Sequence, residues 1–110
     1  MLMLPDVKVY ISTEPADMRK SFDGLAVLVK QSLNKEMFNG DLFVFFNRKA
    51  DRVKILYWDR NGYAVWAKRL ENGIFRLPKV QGKVIPMRSN ELGLLLEGID
   101  LTDKQRLVSL

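Results

Sequence analysis

The chain has 110 residues and a formal net charge of +5 at pH 7, with 18 basic and 13 acidic side chains. This length suits one domain with its own hydrophobic core, and we expect a single domain over residues 1–110. Cysteine and histidine are absent, which excludes disulfides, thiolate or imidazole metal ligands and histidine-based catalysis. No apolar run approaches the ~20 residues of a membrane helix and the N-terminus lacks a signal-peptide core, so we expect a cytoplasmic protein that contacts no membrane.

A short strand and an amphipathic helix are the first predicted elements. Residues 7–11 alternate apolar and polar side chains, which is typical of a half-buried strand. The acidic, proline-containing stretch 13–17 is typical of a helix start. Apolar residues at three- and four-residue steps over 18–33 predict a helix that ends near Asn34. Gly24 inside this helix indicates a close approach by another segment.

Three longer strands follow, two of them in a hairpin. The unbroken apolar run 42–46 predicts a central strand that is covered on both faces. Strands are predicted at 53–58 and 63–70, on either side of the turn 59–62. Aspartate at the first and glycine at the fourth position of this turn favour a three-residue hairpin loop with Gly62 in the left-handed conformation.

The hairpin loop also assigns side chains to the two faces of the sheet. A three-residue loop places Asp59 opposite Tyr63 and Leu56 opposite Trp66. One face is then nearly all apolar and carries Val53, Ile55, Tyr57, Tyr63, Val65 and Ala67. The other face carries Lys54, Leu56, Trp58, Ala64, Trp66 and Lys68. A two-residue loop would mix these two sets.

The last third of the chain predicts short strands and a second helix. Short strands are expected at 74–77 and 84–85. Ser89 is a good N-cap for a helix whose apolar face includes Ile99 and whose end is near Gly98. The tail 100–110 is compatible with one more helical turn. The whole order predicts an α+β fold, a single domain with an antiparallel meander sheet and two flanking helices.

Charge is concentrated in the strand-rich part of the chain. Residues 48–88 contain eleven basic and three acidic side chains, a net charge of +8, whereas the rest carries −3. Cations that meet phosphates, together with rings that stack on unpaired bases, are typical of nucleic-acid binding. The candidate nucleic-acid-binding residues are Arg48, Arg52, Lys54, Arg60, Lys68 and Arg69, and the candidate interaction residues are Trp58 and Trp66. The alternative is that the tryptophans pack in the core and the cations form a solvated surface.

Catalytic motifs are weak in this sequence. The glycines stand alone, so no glycine-rich phosphate loop is present. The acids that could in principle hold magnesium for phosphoryl transfer are Asp17, Asp23, Asp41, Asp51 and Asp59. Each of these has a plainer interpretation as a helix-start, exposed helix or turn residue. We therefore predict no catalytic residue, no metal ligand and no cofactor.

Several stretches taken together resemble a known family. They are, in chain order, residues 15–25, 40–45, 47–48, 51–59, 62–63, 68–75 and 92–100. This set is similar to the second-frame accessory proteins, called TnpB, of bacterial insertion sequence family 66. The resemblance implies a small protein that transposition requires, whereas a separate and larger transposase holds the carboxylate–metal active site. The positions that match the family's recurrent polar signature are Asp17, Arg19, Asn47, Arg48, Arg52, Lys54, Asp59, Lys68, Arg69 and Glu71.

Charge and resemblance together favour a non-enzymatic accessory protein of an insertion sequence. We expect it to bind element DNA, the transposase of the same element, or both, through a basic, aromatic sheet face. The alternative is a protein-interaction module that docks on the transposase through Trp58 and Trp66 without contacting DNA. A metal-dependent nuclease is the third hypothesis. The preferred DNA and the oligomeric state stay open at this point.

Overall fold

The structure is a computed structural model that describes residues 7–36 and 40–98. Its elements are β1 (Lys8–Ser12), α1 (Phe22–Ser32), β2 (Leu42–Phe46), β3 (Arg52–Asp59), β4 (Gly62–Arg69), β5 (Val84–Arg88) and α2 (Ser89–Leu96). Neither helix is long and apolar enough to cross a membrane, within the part of the chain that is described.

The five strands form one mixed sheet in the order β4-β3-β2-β1-β5. β1 and β2 run parallel, with Val9 opposite Leu42, and the other three pairs are antiparallel. The α+β class and the two helices are confirmed, but the antiparallel meander is wrong. A parallel pair needs a crossover connection, and α1 supplies it between β1 and β2. β5 then returns to pair with β1, at the edge opposite β4.

Both faces of the sheet are covered, and β2 lies at the centre. On one face, the α1 side chains Leu25 and Val29, together with Leu33 at its C-cap, pack against Phe43, Phe45 and Leu56. On the other face, α2 packs Leu92, Leu95 and Leu96, together with Phe75, against residues that include Val9, Ile11, Val44 and Ile55. All five residues of β2 are consequently buried, as the apolar run 42–46 predicts.

The first helix begins at Phe22, later than the apolar spacing predicts. The preceding residues form a turn that is tied to the sheet, because the Ala16 N–H donates to the Phe46 carbonyl at 2.8 Å. A side chain at Gly24 would place its Cβ 3.2 Å from the Lys20 Cβ. The close approach at Gly24 therefore comes from the preceding turn and not from another element of the fold.

The β3–β4 hairpin has a two-residue loop, so the predicted three-residue loop is wrong. Asp59 pairs with Gly62, and Trp58 pairs with Tyr63. Gly62 does not take a positive φ; Arg60 takes the left-handed conformation instead, with φ of 56°. A non-glycine residue in this region is uncommon and strained, and a sequence rule that places glycine there misses it.

A register shift of one residue moves every β4 side chain to the other face of the sheet. The face under α1 carries Arg52, Lys54, Leu56, Trp58, Tyr63, Val65, Ala67 and Arg69. The face under α2 carries Val53, Ile55, Tyr57, Ala64, Trp66 and Lys68. The predicted faces are therefore wrong for β4. Both alternating sets in this strand contain apolar residues, so its own pattern accepts either register.

Beyond the hairpin, the chain crosses back without a regular strand. The predicted strand 74–77 is not formed; instead, the Phe75 N–H donates to the Ala50 carbonyl at 2.8 Å. The expected strand at 84–85 is confirmed and extends to Arg88. The N-cap of α2 is Arg88 rather than Ser89, and Gly98 follows its end with a φ of 91°. The predictions for Ile99 and the tail 100–110 lie outside the described residues.

The position of Lys68 under α2 leads to a stability prediction. The Lys68 Nζ donates to the Leu96 carbonyl at 2.9 Å, at the last residue of α2. We expect Lys68→Met to lower the free energy of unfolding by about 1 kcal/mol, because a helix C-terminus loses a cation and a donor. Urea denaturation measures this change, with Lys79→Met at an exposed lysine as the control. Equal losses in the two variants would contradict the assigned role.

Candidate nucleic-acid interface

Cations collect at one end of the sheet, where β2 and β4 end and β3 begins. Arg48 and Lys49 are exposed in the turn between β2 and β3. Arg52 opens β3 and Arg69 closes β4, and these two residues are direct partners in the β3–β4 register. Lys54 follows on the same face as Arg52. The surface formed by Arg48, Lys49, Arg52, Lys54 and Arg69 is named the basic end below.

The cross-strand pair Arg52–Arg69 places two like charges opposite each other. Such pairs have Cβ atoms about 5 Å apart and are destabilising by themselves. The Arg69 Nη2 lies 3.0 Å from the Glu71 Oε1. Arg52 makes no ion pair with any carboxylate in the described ranges. The sheet thus holds a cation whose nearest strand neighbour repels it.

The turn before Arg52 is built on the Asn47 side chain. Its Oδ1 accepts hydrogen bonds from the backbone N–H groups of Asp51 and Arg52, both at 3.0 Å, and its Nδ2 donates to the Asp51 Oδ1 at 2.6 Å. The hydrogen bond from Asn47 lowers the pKa of Asp51, and the charges of Lys49 and Arg52 act in the same direction. The carboxylate of Asp51 therefore serves the turn that presents Arg48 and Lys49.

The loop before α1 borders the basic end. The Lys54 Nζ donates to the Lys20 carbonyl at 2.8 Å, which ties β3 to this loop. Nearby in the chain, the Arg19 Nη2 lies 2.7 Å from the Asp17 Oδ2. Hydrogen bonds from the Arg19 side chain and backbone lower the pKa of Asp17 to about 2. This pair is charge-neutral as a unit, so it adds little to the positive charge of the basic end.

A cleft of about 320 Å³ opens on the basic end. Its lining residues include Met18, Arg52, Lys54, Ala67, Arg69 and Glu71. Four cations (Arg52, Lys54, Lys68 and Arg69) and one carboxylate line this cleft, a composition that suits an anionic group such as a phosphate. Among the described residues, no group of three or more aspartates or glutamates is placed to hold a metal ion.

The structure divides the predicted cations into separate groups. Arg48, Arg52, Lys54 and Arg69 lie together at the basic end. Lys68 lies on the other face and is bound to the C-terminus of α2. Arg60 lies at the hairpin tip, directly after Asp59, which is seven residues from Arg52 along β3, or about 23 Å at 3.3 Å per residue. The six residues therefore do not form one surface.

The two tryptophans lie on opposite faces of the sheet. Trp66 is half-buried and packs against the core under α2. Trp58 donates its Nε1–H to the Arg60 carbonyl at 3.2 Å and meets the Tyr63 ring edge-on, with centroids 5.1 Å apart. Trp58 is also six residues from Arg52 along β3, about 20 Å at 3.3 Å per residue. The predicted basic aromatic face is wrong as a single surface, because the register puts Trp66 and Lys68 on the other face and the length of β3 separates Trp58 from Arg52.

One cation of the basic end is missing from the sequence-based set. Lys49 is exposed in the β2–β3 turn beside Arg48. The polar composition of residues 47–52 predicts a turn between two strands. All cations of such a turn lie at the same end of the sheet, and this signal would have found Lys49. The supporting role of Asn47 and Asp51 in this turn is seen only in their hydrogen bonds.

The fold and the basic end define a small three-layered α+β domain with a cationic sheet end. The family described as IS66 Orf2 like protein matches residues 7–106, and the chain belongs to this family. This finding confirms the resemblance carried by the sequence motifs. It associates the protein with insertion sequences and with transposition.

Two curated relatives come from Sinorhizobium fredii. The chain is 35% identical over 100 residues to the uncharacterized protein y4jC, with 91% of this chain and 86% of the relative covered. It is 38% identical over 101 residues to the uncharacterized protein y4hO, with 89% and 88% covered. No solved structure matches the chain.

The Asn47–Asp51 contact predicts a pH dependence. Asn47→Ala should raise the pKa of Asp51 toward its ordinary value of 3.8, because the largest cause of its lowering is removed. A lowered folded-state pKa stabilises the protein fully above pH 3.8, and this stabilisation is lost as the pH falls through the folded value. The variant's deficit in unfolding free energy should therefore be larger at pH 7 than at pH 2.

NMR titration of the aspartate carboxyl groups measures the pKa of Asp51 in the unmodified protein and in Asn47→Ala. Asp17 is the internal control, since its pKa of about 2 depends on Arg19 and not on Asn47. An unchanged Asp51 titration in Asn47→Ala would refute the role given to this hydrogen bond.

Proposed function

We propose that this protein is a non-enzymatic accessory factor of transposition that binds the phosphate backbone of element DNA through the basic end. The observation that carries the proposal is the opposed pair Arg52–Arg69, which the fold places beside the exposed Arg48 and Lys49. Two guanidinium groups on neighbouring strands repel each other, and an anion between them removes that cost. Family membership supplies the setting of an insertion sequence.

Phosphate contact explains the composition of this surface better than recognition of bases. The half-buried tryptophans lie away from the basic end, so the stacking platform expected from the sequence is not part of the proposed contact. Arginine and lysine bind phosphates without reading sequence, and such contacts position a protein on a duplex. We therefore propose binding of limited sequence preference, dominated by the release of counterions.

In the proposed role, this chain breaks no chemical bond. A strand-cleavage reaction would belong to the transposase, and this protein would organise the DNA on which it acts. A basic end that contacts the transposase instead of DNA is the competing interpretation, and it uses the same residues. The two are separated by whether binding survives without any protein partner.

Neutralising the opposed arginines tests the proposal. If about four phosphates are engaged, log affinity should fall with log salt at a slope near −3.6, and Arg52→Gln with Arg69→Gln should reduce its magnitude by about 1.8. Lys8→Gln with Arg88→Gln is the matched control, because these exposed cations also form a cross-strand pair, at the other end of the sheet. Fluorescence anisotropy with a labelled duplex from the element's end, over a range of salt concentrations, gives both slopes.

Each result has a distinct meaning. A smaller slope in the basic-end variant alone supports the proposal. Equal changes in both variants would show that only net charge matters and would reject an assigned site. If the unmodified protein binds no duplex at low salt, while the basic-end variant loses co-purification with the transposase, the surface is a protein-docking site and DNA binding is rejected.

A further inference from the structure

The two edge strands of the sheet differ in their protection against further pairing. β5 carries Pro86 opposite Tyr10, so this edge lacks one backbone donor. β4 is eight residues long and contains no proline, and its register with β3 runs unbroken from end to end. No other strand of the described chain pairs with its outer side. Such an edge presents a row of backbone N–H and carbonyl groups that another strand can satisfy.

We propose that two copies of this chain pair antiparallel through β4, with Val65 on the two-fold axis, so that their sheets become continuous. A two-fold axis normal to the sheet keeps both α1 helices on the same side. Two residues that lie opposite each other must then point to the same face of the joined sheet. Because side chains alternate along β4, this requires that both residue numbers are odd or both are even. The register centred on Val65 satisfies this condition.

The sequence of β4 is self-complementary in this register. Tyr63 of each copy lies opposite Ala67 of the other, and Ala64 lies opposite Trp66. Every large ring thus meets a methyl group, and Val65 meets its own copy, which avoids overpacking on both faces. A β-branched residue at the centre also suits a strand that gains a partner.

Charge placement favours the same register. Lys68 would lie opposite the partner's Gly62, and Arg69 opposite the partner's Asn61, so no like charges meet across the junction. A register centred on Ala64 would instead bring Arg60 opposite Lys68, which is unfavourable. Since Arg69 is four residues from Val65, the two Arg69 residues would lie about 26 Å apart along the strand direction, at 3.3 Å per residue. Both basic ends therefore stay accessible, and pairing does not depend on DNA binding.

The surface beside the β4 edge is also partly apolar. A cleft of about 340 Å³ lies between α1 and the start of β4. Its walls include Ala26, Val27, Lys30, Gln31 and Tyr63. Val27 is 50% exposed, although the adjacent residues Ala26 and Leu28 pack against the core. A second copy at this edge would shield Val27 and the Tyr63 ring, which adds apolar burial to the backbone hydrogen bonds.

Cysteine cross-linking tests the register directly, because the chain has no cysteine of its own. In Val65→Cys, the introduced thiols would be directly opposed, with Cα atoms about 5 Å apart, which is within disulfide range. In Ala67→Cys, the two copies would be four residues apart along the strands, about 13 Å at 3.3 Å per residue. We expect the first variant to form a covalent dimer under mild oxidation at least tenfold faster than the second. Val80→Cys, at an exposed loop position, reports random collision.

Self-association can also be measured on the unmodified chain, without any substitution. Sedimentation equilibrium should show a mass approaching twice the 12.7 kDa of one chain as concentration rises. Hydrogen exchange of the outward β4 amides should slow over the same range. A mass that stays at 12.7 kDa up to the highest soluble concentration would overturn the proposal. So would cross-linking of Val65→Cys no faster than that of the other two variants, or β4 amides equally protected at concentrations where the chain is a monomer.

Discussion

Burial of β2 on both faces is the constraint on which the rest of the structure depends. The run Leu42–Phe46 has no polar side, and removing each of its side chains from water is worth about 1.5–3 kcal/mol. Such a strand needs a layer on each face and a strand on each side. α1 covers one face and α2 covers the other, while β1 and β3 pair with its two edges. The parallel β1–β2 pair needs a crossover connection, and α1, which forms this crossover, supplies the layer on one face of β2.

The same arrangement explains why charge accumulates at one end of the sheet. β2 and β4 finish at the end of the sheet where β3 begins, so the turn after β2 and the last residue of β4 lie close together there. Asn47 and Asp51 hold the turn in shape, and Glu71 contacts one of the two opposed guanidinium groups. Two other predicted cations lie elsewhere. Lys68 binds the end of α2, and Arg60 lies at the far tip of the hairpin. Clustering of charge along a sequence therefore overstates the size of a charged surface, because a strand sends alternate residues to opposite faces.

The family assignment and the geometry contribute different parts of the functional argument. Membership of the IS66 Orf2 like family associates the protein with insertion sequences and transposition. The structure adds an end where Arg52 and Arg69 oppose each other and an edge strand, β4, whose outer side pairs with no other strand of the described chain. A protein with a cationic site in each of two paired copies would hold two segments of one polyanion. This combination connects the proposed phosphate contact with the inferred self-association, although each rests on its own residues.

The sequence by itself determined the α+β class, the buried central strand, the two helices and the family. These features depend on strong local signals, such as the run 42–46 and the motifs that end with residues 92–100. Only the tertiary structure decided strand order and the register of β4. Both alternating sets of β4 contain apolar residues, and the turn 59–62 accepts a loop of either length once Arg60 adopts a positive φ. Packing of Trp66 and Val65 into the cores on opposite faces of the sheet selects one register, and that selection lies in contacts between residues far apart in the chain.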